Sequence, residues 1–322
     1  DIEIIEAKHA DVEELMHFTL EAQKHLAPQM RCGSNREEVE RFIRGSLEVE
    51  YYYIIAREEE RIVGIAGLYC ISESMVYFDS WHPLVIPRDG SESVFKTLVR
   101  ESIRLTRAKG RSRLEVFLME LTDESRHIYD RVAPLYESTG MKRGNEWTQM
   151  LCKLPETKLE EPELPDGFSL RPIVDVSNDE IWPCYNATFL SSGDRRYRNQ
   201  TEVQRRENFD NFFDRSKQIE EDASLLMYAG DEIIGFMKIN LGLLDDAGFV
   251  NGIGIHPNYR RRGLARVLMT ASLVRAARNG MENLVLEVDI ENHGAIALYE
   301  SLGFEHRRGS VSHVWTSDNE TS

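Results

Sequence analysis

The sequence repeats one order of motifs at an interval of about 170 residues. Ile62–Ile65 is echoed by Ile233–Phe236, and Leu135–Ser138 is echoed by Leu298–Ser301. Short alternating strands, helix-like segments and charged turns follow one another in the same order in both copies. The chain is therefore expected to contain two copies of one folding unit.

A segment rich in proline and glutamate separates the two copies. The chain has 322 residues, which is ample length for two buried cores. Residues 155–167 contain three prolines and few residues that could be buried, so they are predicted to form a linker. The predicted domains are residues 1–154 and residues 168–322.

The second copy contains a basic, glycine-containing segment where a strand meets a helix. The strand is predicted at Phe249–Ile255, and the helix continues to about Asn279. Backbone N–H groups at a helix N-terminus converge on one point, and the helix dipole attracts anions to it. Because Gly263 lacks a Cβ, a phosphate could approach the backbone closely. The pattern predicts a pyrophosphate site, although a basic turn that binds nothing has the same appearance. The predicted site consists of Arg260, Arg261, Arg262, Gly263, Leu264 and Ala265.

A second motif follows the strand predicted at Leu284–Asp289. It runs through Asn292, Ala295 and Tyr299 and ends at Gly303-Phe304. Together, the two motifs resemble the GNAT superfamily of acetyl-CoA-dependent N-acetyltransferases. The resemblance covers nearly the whole chain and is strong from about Ser224 to Trp315.

The resemblance implies an α/β fold, with an α+β type of mixed sheet. Each of two tandem GNAT-like domains would be a twisted mixed sheet flanked by helices, with two central strands splayed apart. The cosubstrate would be acetyl-CoA, and Tyr299 would be the general acid that protonates the departing thiol. The residues implied in contact with the pantetheine arm or thiol end are Ile253, Gly254, Ile255, Asn292 and Ala295.

The first copy departs from the pyrophosphate motif. Aligned at constant spacing, Ser93 stands in place of Gly263, Phe95 in place of Ala265, and Glu92 adds a negative charge. The first domain is therefore expected to be degenerate, with a structural or substrate-shaping role. Gly90-Ser91 could still cap a helix and hold an anion weakly.

The general base is missing from its usual position. Many relatives in the superfamily carry a glutamate on the fourth strand, where this chain has Phe249. The alternatives are Glu287 or Asp289 on the next strand, and Asp245 or Asp246 before it, working through water. The missing base leaves a second interpretation open, a non-catalytic module that binds acyl-CoA or has a regulatory role.

The acceptor is expected to be a primary amine on a small molecule or a peptide. By resemblance, the first two helices of the second domain would form its pocket, with Trp182, Tyr185 and Asp194 as candidate contacts. An aminoacyl-transfer enzyme is a third hypothesis. The intact pyrophosphate motif and the acidic charge argue against a tRNA-bound donor.

Composition limits the partners and the location. The net charge of −16 argues against nucleic acid as a partner. No apolar run approaches the ~18 residues that a membrane helix needs. The cysteines and histidines lack zinc-site spacing, so no metal is expected. Four cysteines without C-x-x-C spacing suggest free thiols and the cytoplasm. The doubled domain is expected to be a monomer or a homodimer.

Overall fold

The structure is a computed structural model that describes residues 1–46, 49–70, 74–192, 195–198, 200–244 and 247–317. The chain divides into two compact units. The first unit comprises Asp1–Thr148 and Arg308–Ser322, and the second comprises Gln149–Arg307. In the described ranges, no helix combines the length and the apolar content needed to cross a membrane.

In its described residues, the first unit is a mixed sheet with four α-helices. Its strands, in chain order, are β1 (Ile2–Glu6), β2 (Tyr51–Glu58), β3 (Arg61–Cys70), β4 (Met75–Phe78), β5 (Leu84–Val85), β6 (Arg113–Leu121) and the first part of β7 (Lys142–Lys153). Its helices are α1 (Val12–Ala22), α2 (Arg36–Gly45), α3 (Ser91–Ala108) and α4 (Arg126–Glu137). The strands β1 to β4 pair antiparallel in sequence order, and β4 then pairs with β6 in parallel.

The second unit follows the same order of elements. Its strands are β8 (Phe168–Pro172), β9 (Leu225–Ala229), β10 (Glu232–Asn240), β11 (Gly248–Ile255), β12 (Asn283–Asp289) and the start of β13 (Phe304–Thr316). Its helices are α5 (Asn178–Leu190), α6 (Arg195–Arg198), α7 (Glu202–Phe212), α8 (Leu264–Arg278) and α9 (His293–Ser301). The predicted fold class is confirmed, because each unit combines antiparallel and parallel pairs with flanking helices.

The sheet of the second unit separates two hydrophobic cores. Side chains of β9 alternate between them, as the period of two in a strand requires. Leu225 and Met227 pack with α8 and β12, whereas Leu226 and Tyr228 pack with α5 and α7. This second face is rich in aromatic side chains, and Tyr185 of α5 lies at its centre.

Each unit is completed by a strand from the other half of the sequence. In the first unit, β13 pairs antiparallel with β6 from Gly309 to Thr316, and Trp315 is buried in that unit's core. In the second unit, residues 149–153 of β7 lie beside β12, and Met150 and Cys152 are in its core. The compact units therefore do not coincide with the boundaries at residues 154 and 168 predicted from the sequence.

The predicted linker packs against the second unit. Leu159 lies against the core that includes α8. The Glu161 carboxylate accepts from Arg275 at 3.3 Å and from Arg278 at 2.7 Å, both on α8. These contacts hold at least part of residues 155–167 along one helix.

Replacing Trp315 by alanine should destabilise the first unit, although residue 315 lies in the second copy of the sequence. The side chain is 1% exposed, and truncating a buried tryptophan costs about 3–5 kcal/mol. Hydrogen exchange followed by mass spectrometry should show lost protection in β6. Trp182→Ala is the matched control and should weaken protection around α5 instead. Lost protection in β12 rather than β6 in Trp315→Ala would contradict this assignment of the strand.

Candidate functional site

Two parallel strands of the second unit part after a short paired stretch. The strands β11 and β12 pair at Gly248–Leu284 and at Phe249–Val285. Beyond Phe249, the described part of β11 pairs only with β10 on its other side. The splayed strands implied by the resemblance are therefore present.

A β-bulge lies where the strands part. The register between β10 and β11 shifts between Met237 and Ile239, which places one extra residue in β11. Gly252 in this segment has φ = 120°, and a Cβ there would lie 2.4 Å from a ring atom of Phe212. Both the conformation and the space therefore require glycine at residue 252.

The backbone of Ile253 and Ile255 faces the side where β12 has parted. The N–H of His256 donates to the Ile234 carbonyl, so the backbone polar groups of residue 256 face β10. This direction alternates along a strand, so the N–H and C=O groups of Ile255 and Ile253 point away from β10. The Ile255 carbonyl accepts from Nε of Arg260 at 3.0 Å. This leaves the N–H groups of both residues and the Ile253 carbonyl directed toward the gap.

The three arginines of the basic segment have different surroundings. Arg260 donates to the carbonyls of Thr188 at 2.7 Å and Ser191 at 3.3 Å, in addition to Ile255, so it ties the segment to the end of α5. Arg261 and Arg262 are exposed. The guanidinium of Arg262 also donates to the Asn258 carbonyl at 3.3 Å and lies 5.3 Å from the centroid of the Tyr259 ring.

Gly263 is the N-cap of α8 and has a left-handed backbone. Its φ is +75°, and a Cβ added there would meet no atom within 4 Å. The glycine is therefore required by conformation, since a side chain at positive φ is strained whatever the space around it. The open surroundings leave the first N–H groups of α8 accessible.

The first unit has the same helix start at Gly90. Gly90 is the N-cap of α3 with φ = +82°, which matches Gly263. Val85 pairs with Gly64 in the first unit as Ile255 pairs with Gly235 in the second. The loop that leads from this strand to the N-cap glycine is shorter in the first unit.

The alignment of Ser93 with Gly263 and of Phe95 with Ala265 is therefore wrong. Gly90 matches Gly263, and Glu92 matches Ala265. The constant spacing failed because the second copy has inserted residues, including a short 3-10 helix at Pro257–Tyr259, before its glycine. The first unit keeps the glycine but has Asp89 and Glu92 beside it, so the expected repulsion of a phosphate still has a physical basis.

The two equivalent tyrosines have different environments. Tyr136 in α4 is fully buried, and its hydroxyl donates to the His82 carbonyl at 2.5 Å. Tyr299 in α9 is 8% exposed, and no described residue hydrogen-bonds to its hydroxyl. Burial raises the pKa of Tyr299 to about 12, so the phenol stays protonated at neutral pH. Of these two tyrosines, Tyr299 is the one whose hydroxyl has no acceptor among the described residues.

Asn292 is the N-cap of α9. Its Oδ1 accepts from the Ala295 N–H at 3.3 Å, which satisfies one of the free N–H groups at the start of the helix. Ala295 is partly buried against the core that contains Tyr299. These residues fix the start of the helix that carries the tyrosine.

The candidate acceptor residues belong to the aromatic core of the second unit. Tyr185 is 6% exposed, and Trp182 stacks on it with ring centroids 6.4 Å apart. The guanidinium of Arg206 lies 5.5 Å from the Trp182 ring centroid. Asp194 lies outside the described residues. Both aromatic residues thus have packing roles, and their contact with a substrate stays a prediction.

The candidate bases are at the surface or engaged locally. Glu287 on β12 is exposed and accepts from Nε2 of Gln149 at 3.3 Å. Asp289 accepts from the N–H of Glu291 at 2.9 Å in the turn before α9. Asp245 and Asp246 lie outside the described residues.

Lys238 is a buried cation that sequence reasoning missed. It lies on β10 beside the bulge of β11, is 2% exposed, and donates to the Phe212 carbonyl. Burial lowers the pKa of Lys238 to about 8, and the charges of Lys217 and Arg215 act in the same direction. The only signal in the sequence is one lysine inside an otherwise apolar strand. Within the described ranges, no group of three or more His, Cys, Asp or Glu side chains could hold a metal ion.

Comparison with known sequences places a family on the second half of the chain. Residues 179–304 match the family described as "Acetyltransferase (GNAT) family". A mycothiol acetyltransferase of Streptomyces scabiei is 28% identical over 171 residues, which are 53% of this chain and 53% of that protein. The chain thus spans about half the length of the relatives that it matches.

Two solved structures share the fold over nearly the whole chain. A GCN5-related N-acetyltransferase from Sphaerobacter thermophilus has a TM-score of 0.65 at 17% identity and covers 98% of this chain and 95% of its own. A tandem GNAT protein from the clavulanic acid biosynthesis pathway has a TM-score of 0.62 at 16% identity and covers 98% of both chains. Over nearly its whole length the chain therefore has the fold of a tandem GNAT protein, and its second half matches the GNAT family.

Both units have the GNAT-like fold of these solved structures, and the family match lies in the second. The chain resembles mycothiol acetyltransferases over about half its length and a tandem GNAT structure over nearly all of it. The parted strands, the glycine cap at Gly263 and Tyr299 all lie in the second unit, where the family model matches.

Replacing Lys238 by methionine should change how stability depends on pH. Because the folded-state pKa of about 8 lies below the ordinary 10.5, the unfolded chain binds more protons between these values. The wild-type free energy of unfolding should therefore rise with pH across this window relative to the variant, by roughly 2–3 kcal/mol. Denaturant unfolding of both proteins at pH 7 and pH 10 measures this difference. If the two proteins differ in free energy of unfolding by the same amount at both pH values, the pKa of Lys238 is not lowered in the folded state.

Proposed function

We propose that this protein is an N-acetyltransferase that acts in its second unit. It would transfer the acetyl group of acetyl-CoA to a primary amine of a small molecule or peptide. The observation that carries the proposal is the parting of β11 from β12, beside the exposed start of α8. A single strand edge with unpaired polar groups, next to a helix N-terminus, suits an extended chain that ends in a pyrophosphate.

The residues of the second unit fit acetyl-CoA along one path. Arg261 and Arg262 supply positive charge, and the left-handed Gly263 opens the backbone amides of Leu264 and Ala265 to a pyrophosphate. Arg260 would orient this segment, since its guanidinium is held by three carbonyls. The residues assigned to the pantetheine arm and thiol end are Ile253, Gly254, Ile255, Asn292 and Ala295.

The parted edge of β11 can stabilise charge on a carbonyl. Bound acetyl-CoA supplies an acyl thioester, which an amine converts to an amide with loss of the thiol. An N–H of Ile253 or Ile255 that faces the gap would donate to the thioester oxygen as negative charge develops there. Removing one such donor costs about 2.7–4 kcal/mol in enzymes where it has been tested.

Tyr299 would donate its proton to the departing sulfur. Its hydroxyl has no hydrogen bond to another described residue, and its raised pKa keeps it protonated. The equivalent Tyr136 cannot act in this way, because its hydroxyl is bound to the His82 carbonyl. The difference between the two tyrosines supports a catalytic role for the second.

Deprotonation of the amine limits which acceptors are suitable. A lysine-like amine with a pKa of ~10.4 costs roughly 4 kcal/mol to neutralise near pH 7.4, whereas an α-amino group costs under about 1 kcal/mol. With Phe249 in the usual place of the base, the site favours an amine of low pKa. Glu287 would then act through water.

A non-catalytic acyl-CoA-binding module is the second candidate, and Phe249 is the observation that favours it. Such a module would bind acetyl-CoA through the same residues but would release no thiol with any amine. Binding and turnover therefore need separate measurements.

Gly263→Glu should abolish acetyl-CoA binding, and Gly90→Glu should leave it intact. Both glycines cap a helix at positive φ in open space, so the strain of substitution is the same. Only the first change places a carboxylate at the proposed pyrophosphate site. Calorimetric titration should give one site in the wild type and in Gly90→Glu. No binding to the wild type, or loss of binding in Gly90→Glu alone, would refute the assignment.

Tyr299→Phe should lower turnover by about 10²- to 10⁴-fold and retain acetyl-CoA affinity, because it removes only the proton donor. Thiol release during a screen of small-molecule and peptide amines measures turnover. Tyr136→Phe is the matched control, which should lose about 1 kcal/mol of stability and keep its rate. Equal rates for wild type and Tyr299→Phe would exclude the general-acid role. Acetyl-CoA binding with no turnover in the wild type would favour the non-catalytic module.

A further inference from the structure

The first unit contains a pocket that the proposed reaction does not use. Its volume is about 850 Å³, within the range of small-molecule sites. It lies among α2, the segment between α1 and α2, and the strands β2 and β3. The lining residues that matter here are Phe42, Gly45, Val49, Tyr51, Tyr69 and Asp79.

The Asp79 carboxylate lies in this pocket without a cationic partner. The Tyr51 hydroxyl donates to Oδ2 of Asp79. No other hydrogen bond and no ion pair to the carboxylate is found in the described part of the chain. The surrounding protein excludes bulk water, while the pocket itself keeps the side chain partly accessible. A carboxylate in such a position is costly unless a cation or a proton compensates it.

Aromatic rings form the wall beside Asp79. Tyr51 stacks with Tyr69 at a centroid distance of 6.5 Å, and Tyr69 stacks with Tyr77 at 5.6 Å. The face of a tyrosine ring attracts a cation. Nearer the opening, Phe42 and Val49 are 38% and 56% exposed, which gives the pocket an apolar rim.

The arginines at the pocket are engaged elsewhere. Arg31 donates to the carbonyls of Leu26 at 3.0 Å and Lys24 at 3.1 Å. Arg41 pairs with Glu37 at 3.1 Å. Neither side chain pairs with Asp79, so the negative charge of the carboxylate remains available to a ligand.

We propose that this pocket binds an organic ammonium ion with an apolar body. The ammonium group would donate to the open oxygen of Asp79 and lie against the rings of Tyr51 and Tyr69. The apolar body would pack on Phe42 and Val49. The net charge of −16 favours the approach of a cation.

Binding should depend on pH through Asp79. Burial raises the pKa of Asp79 to about 6. The groups that face it are Tyr51 and Tyr53 of β2, Tyr69 of β3 and Cys32 of the segment between α1 and α2; burial raises the pKa of each, so all are uncharged near neutrality. Affinity should therefore increase as the pH rises through about 6. It should decrease when the ligand loses its own proton, near pH ~10 for an alkylamine.

The test uses 2-phenylethylamine as the probe and 2-phenylethanol as its neutral counterpart. Calorimetry on the full chain at pH 7.5 should show one site for the amine in the first unit and at least tenfold weaker binding of the alcohol. Asp79→Asn should weaken binding of the amine at least tenfold. No amine binding at millimolar concentration, or equal affinity for amine and alcohol, would overturn the proposal.

A second variant tests the site without changing the buried carboxylate. Gly45 ends α2 and lines the pocket, and a Cβ there would meet no atom within 4 Å. Gly45→Trp should abolish binding of the amine and leave the melting temperature unchanged. Gly263→Glu should retain this binding, which separates it from an acceptor site in the second unit. An amine site that persists unchanged in Gly45→Trp and Asp79→Asn would place the ligand elsewhere and overturn the proposal.

Discussion

The parting of β11 from β12 is the constraint on which the second unit depends. Two neighbouring strands that stop pairing leave backbone donors and acceptors without partners, and buried groups of this kind are unfavourable. The chain tolerates the gap because the bulge before Ile253 bends β11. In addition, Arg260 satisfies the Ile255 carbonyl and the carbonyls of Thr188 and Ser191 at the end of α5. The gap, the glycine cap of α8 and the anchored arginine therefore form one local arrangement.

The two units show how one fold can keep its shape while its chemistry changes. Both keep a left-handed glycine before the long helix and a tyrosine in the following short helix. In the first unit, the tyrosine hydroxyl is bound to a backbone carbonyl, and acidic residues surround the glycine. In the second unit, the hydroxyl has no hydrogen bond to any residue that the structure describes, and arginines precede the glycine. A helix start and a packed ring are needed for folding in both units, whereas charge and hydrogen-bonding capacity are free to differ.

Much of this arrangement could be predicted from the sequence. The strand predicted at Phe249–Ile255 and the helix after Gly263 follow from local periodicity and glycine placement, and the structure contains both. The match of Gly90 with Gly263 could not be predicted, because it depends on backbone angles and a change in loop length. The environment of Lys238 could not be predicted either, since burial of one lysine depends on which helices cover its strand. The sequence also does not reveal which sheet β7 or β13 completes. The alternation of side chains along each of these two strands is compatible with either sheet.

The exchange of last strands affects how this chain can be made. A ribosome releases the first half well before the residues of β13, so β6 waits for its neighbouring strand until nearly the whole polypeptide has emerged. The second half meets no such delay, because residues 149–153 are synthesised before the rest of its sheet. The unit that is translated first is therefore the one that must finish folding last. During synthesis its open sheet edge is exposed to chaperones, proteases and neighbouring nascent chains.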